Sequence, residues 1–161
     1  ISANVPKCLE RFPDAKLLYM IRDPLSVIPS GLSLVTGVLD KKFGFWKLSE
    51  NKRQHYIERL YKALVELQIR FHDDWVNNRF NKDNVMIVRF DRMMSDFEGL
   101  MDEIIDFTGH SSSKELKKDI INVAEKQRNY ISNHKYDLAK FGLSEERIKE
   151  DCKDIYKTFL S

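Results

Sequence analysis

Arg22, Asp23, Pro24 and Ser30 are the residues whose types and spacing suggest chemistry first. Arg22 follows an apolar run and carries a planar, permanently charged fork suited to phosphate. Asp23 reads as a helix cap and Pro24 as a first helical residue, because proline's missing N–H would be unpaired there and its φ is already helical. Ser30, eight residues after Arg22, falls about two turns into that helix with a hydroxyl to donate. A helix starting at the carboxyl end of a strand favours an anion through unpaired N–H groups and the helix dipole. The dipole contributes roughly 0.3–1 kcal/mol and a charge-assisted hydrogen bond about 1.5–3 kcal/mol. The same residues also fit a plainer account, in which Arg22 and Asp23 form a surface ion pair and Ser30 fills a small gap.

The elements that would position these groups follow from periodicity. Leu17 to Ile21 is apolar without alternation, as expected of a parallel strand covered on both faces. A helix is expected from Pro24 to about Leu39, bent or shortened by Pro29. Val35 to Trp46 then reads as a loop whose Phe43, Phe45 and Trp46 either border a ligand pocket or pack down on the body. Ser49 to Asn78 predicts a long amphipathic helix, with Tyr56, Leu60, Leu64, Leu67, Phe71 and Trp75 as its buried stripe. His55 and His72 in that helix have no metal-ligand spacing and read as solvated or capping residues.

Val85 to Phe90 is a second apolar run and a second parallel strand. Ser95 and Glu98 form a capping box for the next helix, which Gly109 stops. Ser112 and Glu115 form another box. After an irregular basic segment around residues 128–143, Ser144 starts a last helix carrying Ile148, Cys152, Ile155, Tyr156 and Phe159.

The segment Phe12-Pro-Asp-Ala, continuing to Arg22-Asp-Pro and Pro29-Ser30, resembles the 3′-phosphate-binding segment of sulfotransferases that use 3′-phosphoadenosine 5′-phosphosulfate (PAPS). Ile87 to Gly109 is similar to that family's YEDL…DP…I..FLG segment, and His134 to Leu143 is similar to its H-x-Y-x-L-x-x-F-G-L tail. The resemblance implies an incomplete, helix-rich P-loop-like three-layer α/β/α fold with few parallel strands. It implies PAPS, or its product adenosine 3′,5′-bisphosphate (PAP), as cofactor, and sulfuryl transfer to a hydroxyl or amine on a small molecule, glycan or lipid. Arg22 and Ser30 would hold the 3′-phosphate. Phe90 stands where the family commonly has a tyrosine near the adenine, so only its aromatic face carries over. Lys126, Arg128 and Lys135 are candidates for a late basic loop reaching the same phosphate, and Arg128 completes the proposed cofactor set.

The resemblance places the chain, as one partial domain over residues 1–161, in the C-terminal portion of such an enzyme. No G-x-x-x-x-G-K-S/T loop occurs to cradle a 5′-phosphosulfate, and two strands cannot complete a sheet covered on both faces. The N-terminal remainder of the same protein is the expected partner that completes it. Asn4 stands where cytosolic members carry a basic residue that accepts the acceptor's proton; an amide cannot do so, and no catalytic base is named. A P-loop kinase-like phosphotransferase, needing Mg²⁺ with a Walker-type Lys and an Asp, and a non-catalytic interaction module that keeps the fold are the alternatives.

Composition sets outer bounds. With 27 basic and 25 acidic side chains among 161 residues, a net charge of +2 argues against a nucleic-acid surface, and any anion site must be local. Cys8 and Cys152 have no metal-ligand or redox spacing and read as reduced, buried thiols. No apolar run nears the ~20 residues that span a bilayer, and no Asn-x-Ser/Thr acceptor occurs. Both point to the cytoplasm, and no metal site is expected.

Overall fold

The computed structural model describes residues 4–128 and 137–161. These form a helix-rich α/β fold whose contacts separate into two compact units. One contains α1 (Val5–Arg11), β1 (Leu17–Ile21), β2 (Val85–Arg89), α4 (Phe90–Ser95), α5 (Phe97–Phe107) and α6 (Lys114–Arg128). The other contains α2 (Pro24–Phe43), α3 (Glu50–Val76), α7 (Glu145–Asp151), the short α8 (Lys153–Ile155) and a closing π turn, Tyr156–Leu160.

In the first unit β1 and β2 pair in parallel, with register running from Leu17 opposite Val85 to Ile21 opposite Arg89. Their amino ends are tied together by side chains. Lys16 Nζ donates to the Asp83 carbonyl at 2.7 Å, and Asn84 Nδ2 donates to the Pro13 carbonyl at 2.6 Å. Ile21, Val85, Val88, Leu100 and Ile105 are buried, as are Val5 and Leu9 of α1. The expectation that both faces of β1 are covered is not met among the described residues, because Leu18 is 48% and Met20 52% exposed. Successive strand residues point to opposite faces, so the apolar run of β1 presents Leu17, Tyr19 and Ile21 to one side and leaves Leu18 and Met20 on an open one.

Both predicted capping boxes sit one residue later than expected. Ser95 ends α4, and Asp96 caps α5 by accepting the Gly99 N–H at 3.2 Å. A carboxylate adds charge to the cap, and Arg92 holds it in place by bonding both Asp96 and Glu103. At α6 it is Ser113 Oγ that accepts, from the Leu116 N–H at 3.1 Å. Gly109 stops α5 as expected. It lies at φ +72°, its N–H goes to the Asp106 carbonyl, and the next N–H, of His110, goes back to Ile105. Those two bonds form a Schellman ending, whose left-handed residue is most easily a glycine.

In the second unit the helix that starts at Pro24 runs on through Phe43, well past the expected end near Leu39. Pro29 costs one backbone bond without ending the helix. The stop is Gly44, at φ +64°, whose N–H reaches the Asp40 carbonyl. The predicted loop is therefore largely helix, and its aromatics divide. Phe43 is 76% exposed, whereas Phe45 is buried and Trp46 packs edge-on against Phe45 and tilted against Phe141. Lys140 Nζ lies 4.4 Å from the Trp46 ring centre. Phe141 and Leu143, from the late family-like tail, are buried beside a left-handed Gly142.

The long helix α3 is present, with its buried face rotated from the predicted stripe. Ile57, Tyr61, Val65 and Phe71 are buried, while Tyr56 and Leu67 are exposed. Tyr61 brings polar partners as well as a ring to that face. Its hydroxyl donates to Asp151 Oδ2 at 2.6 Å, and the Arg147 guanidinium lies 4.4 Å over its ring. Arg147 also grips both oxygens of Glu58, at 2.8 and 3.0 Å. Further along, Phe71, Trp75 and Phe159 pack with ring centres 5.8 to 6.1 Å apart. His72 is half-buried and shares a hydrogen bond with Thr158 at 3.0 Å, so it is neither a cap nor fully solvated. The final helix places Ile148, Cys152, Ile155 and Phe159 in the core, as its periodicity predicts. Burial pushes the Cys152 thiol up to about 11, the behaviour of an unreactive core cysteine.

Candidate anion-binding site

The carboxyl end of the sheet follows directly from the strand register. Ile21 is opposite Arg89, so one step further the chains leave the sheet with Arg22 beside Phe90. The guanidinium carbon of Arg22 lies 4.2 Å from the centre of the Phe90 ring. Both residues are half-buried. The structure thus brings together two of the residues expected to serve one cofactor, although they are separated by most of the chain's first half.

The neighbouring arginines of this unit are held differently. Arg89, in β2, grips Asp91 through Nε at 3.1 Å and Nη2 at 2.7 Å. That hydrogen bond holds the Asp91 carboxyl below its ordinary value. Arg92 is bound by Asp96 and Glu103. Arg22 makes no ion pair with any carboxylate among the described residues, and its guanidinium carbon lies over the face of the Phe90 ring. The guanidinium carries five N–H donors, and none of them has a hydrogen-bond partner among the described residues. The plain account of Arg22 and Asp23 as a surface ion pair is not what the side chains do.

Asp23 has other partners. Its Oδ1 accepts the Leu25 N–H at 2.9 Å, making it the cap of α2, and accepts the Tyr156 hydroxyl at 2.5 Å. Burial, and then this hydrogen bond, raise the Tyr156 phenol well above its ordinary range. The Asp23 carbonyl takes the N–H groups of Ser26 at 2.8 Å and Val27 at 3.0 Å. Pro24 has no N–H. The first turn of α2 therefore has no spare donor, which corrects the expectation that unpaired helix N–H groups would cradle an anion there. A carboxylate already occupies the positive end of the helix, and the cationic capacity at this junction belongs to the Arg22 side chain.

Ser30 is half-buried in α2, and its hydroxyl makes no hydrogen bond among the described residues. Arg128 ends α6, where Nη2 meets Glu98 Oε1 at 2.5 Å. The pair borders a cavity of about 260 Å³ that Met94, Ser95, Asp96, Phe97 and Ala124 also line. Its charge is already engaged. Lys126 is exposed, and Lys135 lies outside the described residues. Asn4 caps α1 by position only, with no side-chain bond to the helix. Among the described residues no group of His, Cys, Asp or Glu is arranged to hold a metal ion, and no helix is long and apolar enough to cross a membrane.

Sequence reasoning missed Tyr156 as a partner of this junction, treating it as one more residue of an apolar stripe. The two residues are 133 positions apart, and no local spacing signals their bond.

Arg22 therefore stands at the carboxyl end of a parallel strand, the end at which open α/β sheets form their ligand crevice. A model described as the sulfotransferase family matches residues 2–114, which span β1, the Arg22 junction, α2, α3, β2 and α5. No curated protein and no solved structure matches the chain. With well over half of its residues matched, the chain belongs to the sulfotransferase family.

Proposed function

We propose that this chain carries the 3′-phosphate-binding part of a PAPS site, within a P-loop-like three-layer α/β/α sulfotransferase that moves a sulfuryl group to a hydroxyl or amine acceptor. The observation that carries the reading is Arg22, a cation at the carboxyl end of β1 with no carboxylate partner among the described residues. A dianionic phosphate matches its free donors in charge and geometry. Ser30 adds a neutral donor in the same reading, Phe90 lies against Arg22, and Arg128 takes part only by exchanging Glu98 for the phosphate. When bound, PAPS supplies the sulfuryl group. The acceptor is a small molecule, glycan or lipid, the expected location is the cytoplasm, and the N-terminal remainder of the same protein completes the sheet that β1 leaves open.

The test is binding of nucleotides to the full-length protein carrying Arg22→Ala. Affinity for adenosine 3′,5′-bisphosphate falls by about tenfold or more, the cost of one charge-assisted contact, while affinity for adenosine 5′-monophosphate stays the same. An equal loss for the two nucleotides sinks the assignment. Preference of the unmodified protein for ATP with Mg²⁺ over the bisphosphate would instead favour the kinase-like alternative.

A further inference from the structure

An arginine used to bind phosphate has to be held without being neutralised. Its side chain has many rotamers to lose, and ordering it only when ligand arrives weakens binding. A carboxylate can fix the fork, as Asp91 fixes Arg89 and Glu98 fixes Arg128. It does so by consuming the donors and the charge that a phosphate needs. An aromatic ring holds a guanidinium by its face and leaves the in-plane N–H groups free. The Phe90 ring lies under Arg22, with the guanidinium carbon 4.2 Å from the ring centre. The ring itself is placed by the backbone, since it is the first residue of α4 and directly follows the last residue of β2, Arg89, which is paired in register with Ile21.

We propose that Phe90 is a positioning residue for Arg22. Its ring orients the guanidinium toward a 3′-phosphate, and its effect on nucleotide binding passes through that arginine and not through the adenine base. This rests on the reading of Arg22 as a 3′-phosphate ligand. One face of the ring is taken by Arg22, and tyrosine or tryptophan supplies the same service because the face, not any hydroxyl, is what acts.

The experiment is a double-mutant cycle on the full-length protein, with binding of adenosine 3′,5′-bisphosphate and adenosine 5′-monophosphate measured by calorimetry. Phe90→Leu weakens the bisphosphate by about 2- to 30-fold, the range of a cation–π contact at partly buried sites, and leaves the monophosphate unchanged. Phe90→Trp restores the affinity. In the Arg22→Ala background Phe90→Leu has no further effect. An equal loss of both nucleotides on Phe90→Leu, or an effect that adds to that of Arg22→Ala, overturns the inference while the Arg22 reading stands. Failure of Arg22→Ala to distinguish the nucleotides overturns both. If Phe90→Leu does not fold, the proton resonance of Arg22 Nε–H in the unmodified protein decides. An upfield ring-current shift that Phe90→Trp retains supports the placement, and an unshifted resonance overturns it.

Discussion

Tyr156 donates its phenolic hydrogen to Asp23 Oδ1 at 2.5 Å, on the same oxygen that caps α2 through the Leu25 N–H. One carboxylate thereby ties the start of a 20-residue helix to the closing π turn of the same unit. Tyr156→Phe removes the hydroxyl and keeps the ring, and is expected to lower stability by about 1 kcal/mol. Asp23→Ala loses the cap as well and costs about 1–3 kcal/mol in total. Urea unfolding of the two single variants and the double variant checks this. The double variant should be no less stable than Asp23→Ala alone, and full additivity would show that the two residues act separately.

The tyrosines also predict an alkaline limit. Burial and a carboxylate partner raise the phenols of Tyr61 and Tyr156 above their ordinary value near 10. The folded chain then keeps protons that the unfolded chain releases. Their contribution is complete below about pH 10 and is lost as pH rises above it, at up to about 1.4 kcal/mol per group and pH unit. Denaturation midpoints between pH 8 and 11 should fall less steeply for Tyr61→Phe/Tyr156→Phe than for the unmodified protein. Tyr19, pushed up to about 12 by burial, titrates in both and cancels. Parallel curves would contradict the assignment.

Glu58 sets a corresponding acid limit. Its hydrogen bond with Arg147 holds the carboxyl below the ordinary glutamate value. A depressed folded value means stability that is present above about pH 4.5 and disappears as pH falls through the folded value. Half-exposure on both side chains keeps the size modest, about 0.5–1 kcal/mol. Glu58→Gln should flatten the loss of stability between pH 5 and 3, and an unchanged acid slope would count against the pair.

Gly109 tests backbone conformation alone, because a methyl group there would meet nothing within 4 Å while φ is +72°. Gly109→Ala is expected to cost about 1 kcal/mol through left-handed strain, and Gly109→Asn less. Calorimetric melting of the pair decides, and an alanine variant as stable as glycine would rule out the strain.

Ser30 separates binding from folding. Its hydroxyl has no partner in α2, and alanine is the better helix former. Ser30→Ala should leave the melting temperature unchanged or slightly raised, yet weaken adenosine 3′,5′-bisphosphate several-fold and adenosine 5′-monophosphate not at all. Equal binding of the bisphosphate by the variant would remove Ser30 from the site.

Local rules read from the sequence account for much of this protein. Leu17 to Ile21 and Val85 to Arg89 are strands because both are short apolar runs bounded by turns, and Asp23 with Pro24 starts a helix because capping acts within a few residues. Gly109 ends a helix for the same local reason. Arg22 was visible as a cation placed where a strand ends. What tertiary structure alone decided lies between distant residues. Register sets Phe90 against Arg22, Tyr156 takes the carboxylate that sequence pairs naturally with Arg22, and Tyr61 is buried in α3 with its hydroxyl on Asp151 while Tyr56 and Leu67 of the expected stripe stay exposed. Hydrophobic periodicity says which face of an element is apolar but not which partners the polar atoms on that face will find. Those hydrogen bonds and ring contacts join residues 68, 90 and 133 positions apart, where spacing along the sequence carries no information about distance in space.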